Sequence, residues 1–362
     1  MTMAIDFSGI LVCPDCRGEL KQVQRSPLRL ACATCERTCD ENADGIVEML
    51  PAWMVNAQRA KDEIEAEASR SSGTERSQRV VEFESAFHDE QAQCYDGLFT
   101  SPEPLRTYYQ RLIDRQVSEE VENASFVVDL CCGTGKSSLP LVKSGKPVIG
   151  IDVSMEMLKL FAKKCRELGK GSVLLLHADA SHPPLRSESC EAIMFIGGLH
   201  HIPDQTSCVH HISGLLKNEG KFLIHEPLST HRKGFANRLI ENCYALLDAK
   251  RILRAIRRRI EKLNHESATT SPVEPFTPFE KPFNSLTEVH GLLNTNLDLV
   301  VLRGQALMSL REFPAAIKGV PSRLLSRVVV SFDAWVSNLG WTEWRGSAVF
   351  AVAKRRSERA YS

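Results

Sequence analysis

Between Ser125 and Pro227, short apolar runs alternate with longer stretches in which apolar residues recur at helical spacing. SFVVDL, KPVIGID, GSVLLLHAD, CEAIMFIG and GKFLIHEP are compact runs of Val, Ile, Leu and Phe that end at turn residues or acids, the pattern of buried strands. The segments between them, from Lys136, from Ser154 through Leu168 and across His210 to Leu216, have the length and periodicity of helices. Apolar strands separated by such helices predict an α/β fold, Rossmann-like, with a parallel sheet covered on both faces. Further on, TEVHGLLNTN reads as a helix, LDLVVLRG as a sixth strand and SAVFAVAKR as a seventh. In a sheet of this kind a ligand sits at the carboxyl ends of the strands.

The flanks have other patterns. Ala52 to about Arg70 is charged and helical, and SRSSGTERS reads as a flexible linker. VVEFESAFHDEQAQCYDGLF and EPLRTYYQRLIDRQVSEEVE have helical periodicity and should pack on the sheet. After HEP a long insertion contains RILRAIRRRIEKL, where Ile252, Ile256, Ile260 and Leu263 recur at helical spacing. Arg251, Arg254, Arg257, Arg258, Arg259 and Lys262 cover much of the rest of that helix. Such a face suits anionic lipid, a phosphorylated substrate or RNA phosphates, or is a solvated lid whose arginines pair with acidic segments elsewhere. PVEPFTPFEKPF after it reads as a lid or substrate-facing loop, and a second insertion carries an apolar, Trp-bearing helix. The expected division is an N-terminal unit at 1–51, a helical linker and lid at 52–122, a cofactor-binding core at 123–227, a basic helical insertion at 228–284 and the rest of the core at 285–356.

Composition narrows the classes. Forty-five basic residues balance 45 acidic ones in 362, so no global field recruits nucleic acid and any basic surface is local. The N-terminus lacks a basic flank followed by a long apolar run, and no window approaches a membrane span. These features point to a cytoplasmic protein that touches the inner face of a membrane, if at all, through the Arg251–Lys262 helix. There are 12 cysteines. Cys13 and Cys16 form one C-x-x-C and Cys32 and Cys35 a second, and two such knuckles place four thiolates around a structural Zn²⁺. A redox dithiol needs only one of them.

CPDC, CATC and the closing DGIVEMLP resemble the small zinc-ribbon domain typified by the activator subunit of tRNA methyltransferases. The likeness covers residues 1–51 and departs from the family at Cys39, where an aromatic is usual, so Cys39 is not counted as a ligand.

The first strand runs into VVDLCCGTGKSS, whose Gly133 and Gly135 let a backbone approach a ligand without a Cβ in the way. The second strand ends in Asp152, where a carboxylate can accept from a ribose diol. A dinucleotide site would want a third glycine, but the residue three beyond Gly135 is Ser138. S-adenosylmethionine, which carries no phosphate, fits better: Asp129 toward its ammonium, Asp152 on the ribose and Asp179, beside the Ala180 backbone, on the adenine amino group.

VVDLCCGTGKSS, IGIDVSMEML, LLLHADASHPPLRSESCEAIMFIGGLHHIPD and LLKNEGKFLIHEP together resemble class I S-adenosylmethionine-dependent methyltransferases, in particular the ubiquinone and menaquinone branch. That resemblance implies a seven-stranded sheet whose last strand is inserted, and a lid helix whose tyrosine, here Tyr95 in CYDGLF, closes over the cofactor. Its cofactor contacts here are Tyr95, Asp129, Cys131, Gly133, Gly135, Asp152, Val153, Asp179, Ala180 and Ile196. Cys131 stands where many members have glycine, and Cys131 and Cys132 read as small packing residues rather than redox groups.

The segment after the fourth strand bears on the methyl acceptor. GGLHHIPD there is neither the Asn/Asp-Pro-Pro-aromatic turn of adenine-amino methylation nor the Pro-Cys of pyrimidine C5 methylation. Imidazole as a group titrates near neutrality, which makes His200 and His201 the candidate bases for an O–H or C–H acid, unless they only cap the strand and order the next helix. His225 and Glu226 are a secondary pair. The expectation is methyl transfer to a small hydrophobic or amphipathic metabolite such as a quinone, lipid precursor or secondary metabolite. Two alternatives are an RNA methyltransferase, since ribbons fused to this core also resemble rRNA guanine methyltransferases, and a cofactor-binding protein without turnover.

Overall fold

The computed structural model describes residues 9–54, 60–98, 103–169, 171–229, 277–305, 331 and 348–356. The Arg251–Lys262 helix and nearly all of the second insertion lie outside the described residues.

The N-terminal strands are β1 (Leu20–Arg25), β2 (Leu28–Cys32), β3 (Thr38–Asp40) and β4 (Ile46–Glu48). Helices α1 (Lys61–Arg70), α2 (Gly73–Gln91), α3 (Tyr95–Leu98) and α4 (Glu103–Glu120) come next. The core is β5 (Val127–Leu130), α5 (Leu139–Ser144), β6 (Val148–Asp152), α6 (Met155–Leu168), β7 (Val173–His177), β8 (Cys190–Ile196), α7 (Gln205–Leu215) and β9 (Leu216–Pro227). It closes with α8 (Leu286–Asn294), β10 (Leu297–Gln305) and β11 (Ala348–Arg355).

Among the described residues one eight-stranded sheet runs in the order β10-β11-β9-β8-β5-β6-β7-β4. The seven expected strands are all present, with β11 paired antiparallel between β10 and β9. The eighth comes from the N-terminal segment: the expected closing turn of the ribbon, DGIVEMLP, instead supplies β4, which pairs parallel with β7 in the register Ile46↔Leu175 and Glu48↔His177. The three remaining N-terminal strands form a separate antiparallel sheet.

Residue parity along each strand explains the layering. Val128, Leu130, Ile149, Ile151, Ile193 and Phe195 enter one apolar cluster, whereas Val127, Val148, Ala192 and Met194 enter the cluster on the opposite face. Successive side chains of a strand point to opposite faces, so these near-continuous apolar strands are buried on both. Val117 of helix α4 and Val121 just after it cover the second face.

Two helix starts differ from expectation. The break after α1 is only Ser71 and Ser72, and most of SRSSGTERS belongs to α2, with Glu75 in its first turn, where a carboxylate suits the helix dipole. Helix α5 begins at Leu139 rather than Lys136, because the glycine turn continues through Ser138 and Pro140 is tolerated only in the first turn. Helix α6 starts as its sequence suggests: Ser154 caps it by accepting from the Met157 amide at 3.2 Å, and Met157, Leu158, Phe161 and Ala162 form its buried stripe.

Candidate active site

The carboxyl ends of β5, β6, β7 and β8 open onto one cavity, which α2 and α3 cover from the other side. Gly133 sits in its wall at φ +50 with open space where a Cβ would be, so backbone rather than side chain faces the cavity there. Asp152, at the end of β6, is 7% exposed. Its Oδ2 accepts from the Gly133 amide at 2.7 Å and its Oδ1 from the Ser154 amide at 2.8 Å, which ties the first turn to the second. Burial pushes the Asp152 carboxyl above its ordinary range against the pull of those amides. Asp179, two residues beyond β7, accepts from the Ser181 amide at 2.8 Å and from its hydroxyl. An open glycine backbone flanked by two strand-end carboxylates, each with lone pairs to spare, fits the nucleoside of S-adenosylmethionine.

The lid is stitched to these turns. Ser85 of α2 donates to the Val153 carbonyl at 2.8 Å, and Asp89 accepts from the Ser154 hydroxyl at 2.6 Å and the Glu156 amide at 3.0 Å. Thr134 in the glycine turn donates to Asp96 of α3 at 2.8 Å, and Lys164 reaches both Asp96 and the Thr134 carbonyl. These bonds hold Tyr95 in the cavity wall.

Of the cofactor contacts expected from sequence, Tyr95, Cys131, Gly133, Asp152, Val153, Asp179 and Ala180 line this cavity. Three do not. Asp129 is 2% exposed and lies beneath the turn, where it accepts from the Ser138 hydroxyl at 2.6 Å, and burial pushes its carboxyl up to about 7. Its side chain therefore serves the turn and does not face the cavity, contrary to the role expected for it toward an ammonium group. Gly135 packs face-on to α6, since a Cβ would lie 2.2 Å from Phe161. Ile196 packs against the apolar cluster on the far side of the sheet. Cys131 and Cys132 are thiols rather than thiolates, because burial pushes both well above the ordinary cysteine value. Cys131 holds φ 54, a left-handed conformation that glycine adopts freely and that a residue with a Cβ adopts at a cost.

The histidine pair divides. His200 is buried, its Nδ1 2.7 Å from Glu226, whose other oxygen accepts from the Gly198 and Leu199 amides at 3.0 and 2.8 Å. Glu226, 0% exposed, thus braces the 3₁₀ turn Leu199–His201 from behind. His201 instead lines the cavity. Its Nδ1 lies 3.0 Å from Glu84, and His88 Nε2 lies 3.3 Å from the same oxygen. Thr277 donates to the second Glu84 oxygen at 2.6 Å, which brings the middle of the PVEPFTPFEKPF segment onto the lid. Burial alone would raise Glu84, yet the bonds from His201 and His88 outweigh it and hold the carboxyl at about 2. An ionised carboxylate only accepts, so both nitrogens donate to it. The donor atoms of Glu84, His88 and His201 lie within 4.8 Å of one another, but each already has its partner in this hydrogen-bonded arrangement. His225 does not line the cavity, and burial lowers it to about 4.

Glu84 and His88 were missed from sequence. The available signal was an acid and a histidine at i, i+4 amid Val80, Val81, Phe83 and Phe87, the buried stripe of α2.

The four N-terminal thiols also converge. Cys13 and Cys35 are 3.6 Å apart, and Cys16 lies 3.4 Å from both Cys32 and Cys35. The amides of Cys35 and Thr34 lower Cys32 to about 6, whereas burial raises Cys13 to about 12. Four sulfurs this close could hold a metal ion as a tetrahedral thiolate set, and Cys39 is not among them.

The described residues form a Rossmann-like α/β domain with a cavity at the carboxyl ends of its parallel strands. Residues 128–224 match the family model described as "Methyltransferase domain". The chain is 35% identical over 106 residues to a demethylmenaquinone methyltransferase of Lactobacillus johnsonii, a match covering 28% of this chain and 43% of that protein. It is 29% identical over 119 residues to the protein of the same name from Bacillus velezensis, covering 32% of this chain and 51% of that one. The chain thus spans about half the length of the curated relatives it matches. A solved S-adenosylmethionine-dependent methyltransferase from Thermotoga maritima aligns at a TM-score of 0.45 and 14% identity, over 75% of this chain and 99% of that one.

Proposed function

We propose that this protein transfers the methyl group of S-adenosylmethionine to a small hydrophobic or amphipathic metabolite, at oxygen or at an acidic carbon. The observation that carries the reading is a single cavity in which Gly133, Asp152 and Asp179 face a histidine held by a buried carboxylate. When bound, S-adenosylmethionine supplies an electrophilic methyl on a sulfonium. Asp152 accepts from the ribose hydroxyls and Asp179 from the adenine amino group, while the Gly133 backbone lies against the nucleoside. His201 takes the acceptor's proton on Nε2, since its Nδ1–H is committed to Glu84. Glu84 fixes that tautomer and offsets the positive charge the ring gains. His200 and Glu226 act behind it, by keeping the turn in place. The names of the curated relatives make a quinol the first acceptor class to supply.

The reading includes one structural Zn²⁺ on Cys13, Cys16, Cys32 and Cys35, which the convergence of the four sulfurs supports. Among the described residues no helix is long and apolar enough to cross a membrane. The proposed enzyme is cytoplasmic and meets a lipid-soluble acceptor at the membrane surface through the basic segment Arg251–Lys262.

The test is incubation with methyl-labelled S-adenosylmethionine and cell extract, then separation into organic, RNA and aqueous fractions. Label in the organic fraction, reduced at least tenfold in His201→Ala, is the expected result. Label in RNA would replace the acceptor, and binding of the cofactor without any transferred label would mean a protein that does not turn over.

A further inference from the structure

The N-terminal thiol knuckle leans on the part of the core that carries Asp179. Ile10 to Val12, just before Cys13, run antiparallel to the loop after β7: Leu11 bridges Leu185, the Val12 amide donates to the Pro184 carbonyl at 3.0 Å, and the Arg186 amide donates to the Ile10 carbonyl at 2.7 Å. Arg17, directly after the second cysteine of the knuckle, holds φ 61, and its amide donates to the Cys13 carbonyl at 3.0 Å. From that turn its guanidinium reaches across, giving one nitrogen to the Pro183 carbonyl at 2.8 Å and another to the Leu185 carbonyl at 2.7 Å. The other end of the same loop is Asp179, bonded to Ser181 and accepting on its carbonyl from the His182 amide at 3.2 Å. The forked donor of one arginine therefore closes a loop that begins at the cofactor-facing acid. Lysine, with a single ammonium on a flexible stem, cannot span both carbonyls in the same fixed geometry.

We propose that Arg17 is a positioning residue of the cofactor site: from the thiol knuckle it holds the Asp179–Leu185 loop in the shape that receives the adenine end of S-adenosylmethionine. This rests on the reading of Asp179 given under Proposed function. The knuckle's geometry sets where the guanidinium starts, so loss of the metal and loss of Arg17 relax the same loop. Two perturbations that act through one contact are not additive.

The experiment uses the full chain and measures S-adenosylmethionine and S-adenosylhomocysteine affinity by calorimetry, with zinc content and thermal midpoint recorded for each sample. Wild type, Arg17→Ala and Arg17→Lys are compared, each zinc-loaded and after chelation. Arg17→Ala is expected to keep one zinc per chain and to weaken both ligands about three- to tenfold, less than the full worth of the two charged contacts removed, because the loop is loosened and not lost. Arg17→Lys should recover part of that loss. Chelation should weaken binding in wild type and add little in Arg17→Ala. Equal affinity in zinc-loaded wild type and Arg17→Ala would overturn the proposal, as would a chelation effect of the same size in both. Failure of zinc-loaded wild type to bind either ligand would instead overturn the cofactor reading on which it rests.

Discussion

Glu84 and His201, 117 positions apart in sequence, meet at 3.0 Å across the mouth of the cavity, and the carboxylate is buried while the histidine faces the open space. An ionised acid beneath an imidazole fixes which nitrogen carries the proton, and so which one is free to accept another. Glu84→Gln keeps the shape but removes the charge and allows the ring to turn over. It is expected to lower the rate of methyl transfer roughly 10²-fold while cofactor affinity stays within about twofold. Single-turnover rates and calorimetry on the same preparation check both halves. A loss confined to cofactor affinity would assign Glu84 to binding instead.

The same carboxylate gives a pH signature. Its folded value of about 2 lies below the ordinary 4.5, so its contribution to stability is complete above pH 4.5 and is lost as pH falls through the folded value. The contribution is on the order of 3 kcal/mol, the unfolded chain binding its proton first as the solution is acidified. Urea unfolding between pH 5 and pH 3 should show wild type losing stability faster than Glu84→Gln.

Asp129 predicts the opposite slope. Its ordinary value is 3.8 and burial raises it to about 7, so between those values the folded chain holds a proton that the unfolded chain has released. Stability therefore falls as pH rises through that window. Asp129→Asn removes the titration and can keep an acceptor for the Ser138 hydroxyl. It should match wild type near pH 4 and exceed it at pH 8, as read from denaturant midpoints. Parallel curves for the two proteins would mean that Asp129 is ionised in the fold throughout.

What was legible in the sequence was whatever chemistry lies close along the chain. The glycine turn, Asp152 and Asp179 each sit at the end of an apolar run, so spacing alone put them at the strand ends that line the cavity. The two C-x-x-C pairs were equally local. Glu84 and His88 were not legible, because only the docking of α2 over the strand ends carries them into the cavity, and nothing in VVEFESAFHDEQ states where that helix lands. The direction of a side chain was also hidden. Asp152 ends β6 and Asp129 is the last residue but one of β5, but Ser138 draws Asp129 beneath the turn while two backbone amides hold Asp152 at the cavity wall. Edge pairing was the third blind spot: DGIVEMLP has the composition of a ribbon's last strand, and its pairing with β7 depends on an open sheet edge formed more than a hundred residues later.

Metal removal has its own expected outcome. With four thiols within 4.8 Å of one another and no continuous apolar core of their own, the N-terminal strands are expected to depend on the ion they are proposed to hold. Cys16→Ser, or chelation of wild type, should release one zinc per chain and lower the thermal midpoint, with amide exchange rising first in β1 to β3. Four equivalents of titratable thiol appearing as the metal leaves would identify the ligands. Unchanged exchange in those strands would mean that the ribbon is held by the core alone.

Gly133 and Gly135 look alike in sequence and separate in structure. At Gly135 φ is +77 and a Cβ would lie 2.2 Å from the Phe161 ring, which is itself buried against α6's neighbours. Gly135→Ala adds a left-handed strain of about 1 kcal/mol to an overpacking cost of about 1 to 3 kcal/mol, so it should act chiefly on stability. At Gly133 φ is +50 and nothing in the protein lies within 4 Å of the added atom, which leaves the conformational strain alone on the stability side. The space a methyl would take there belongs to the cavity. Gly133→Ala should therefore unfold only slightly earlier than wild type and bind S-adenosylmethionine at least tenfold more weakly, while Gly135→Ala shows the reverse weighting. Thermal midpoints and cofactor affinities of the two variants, measured side by side, test the assignment. Equal losses of affinity at matched stability would place both glycines against the ligand.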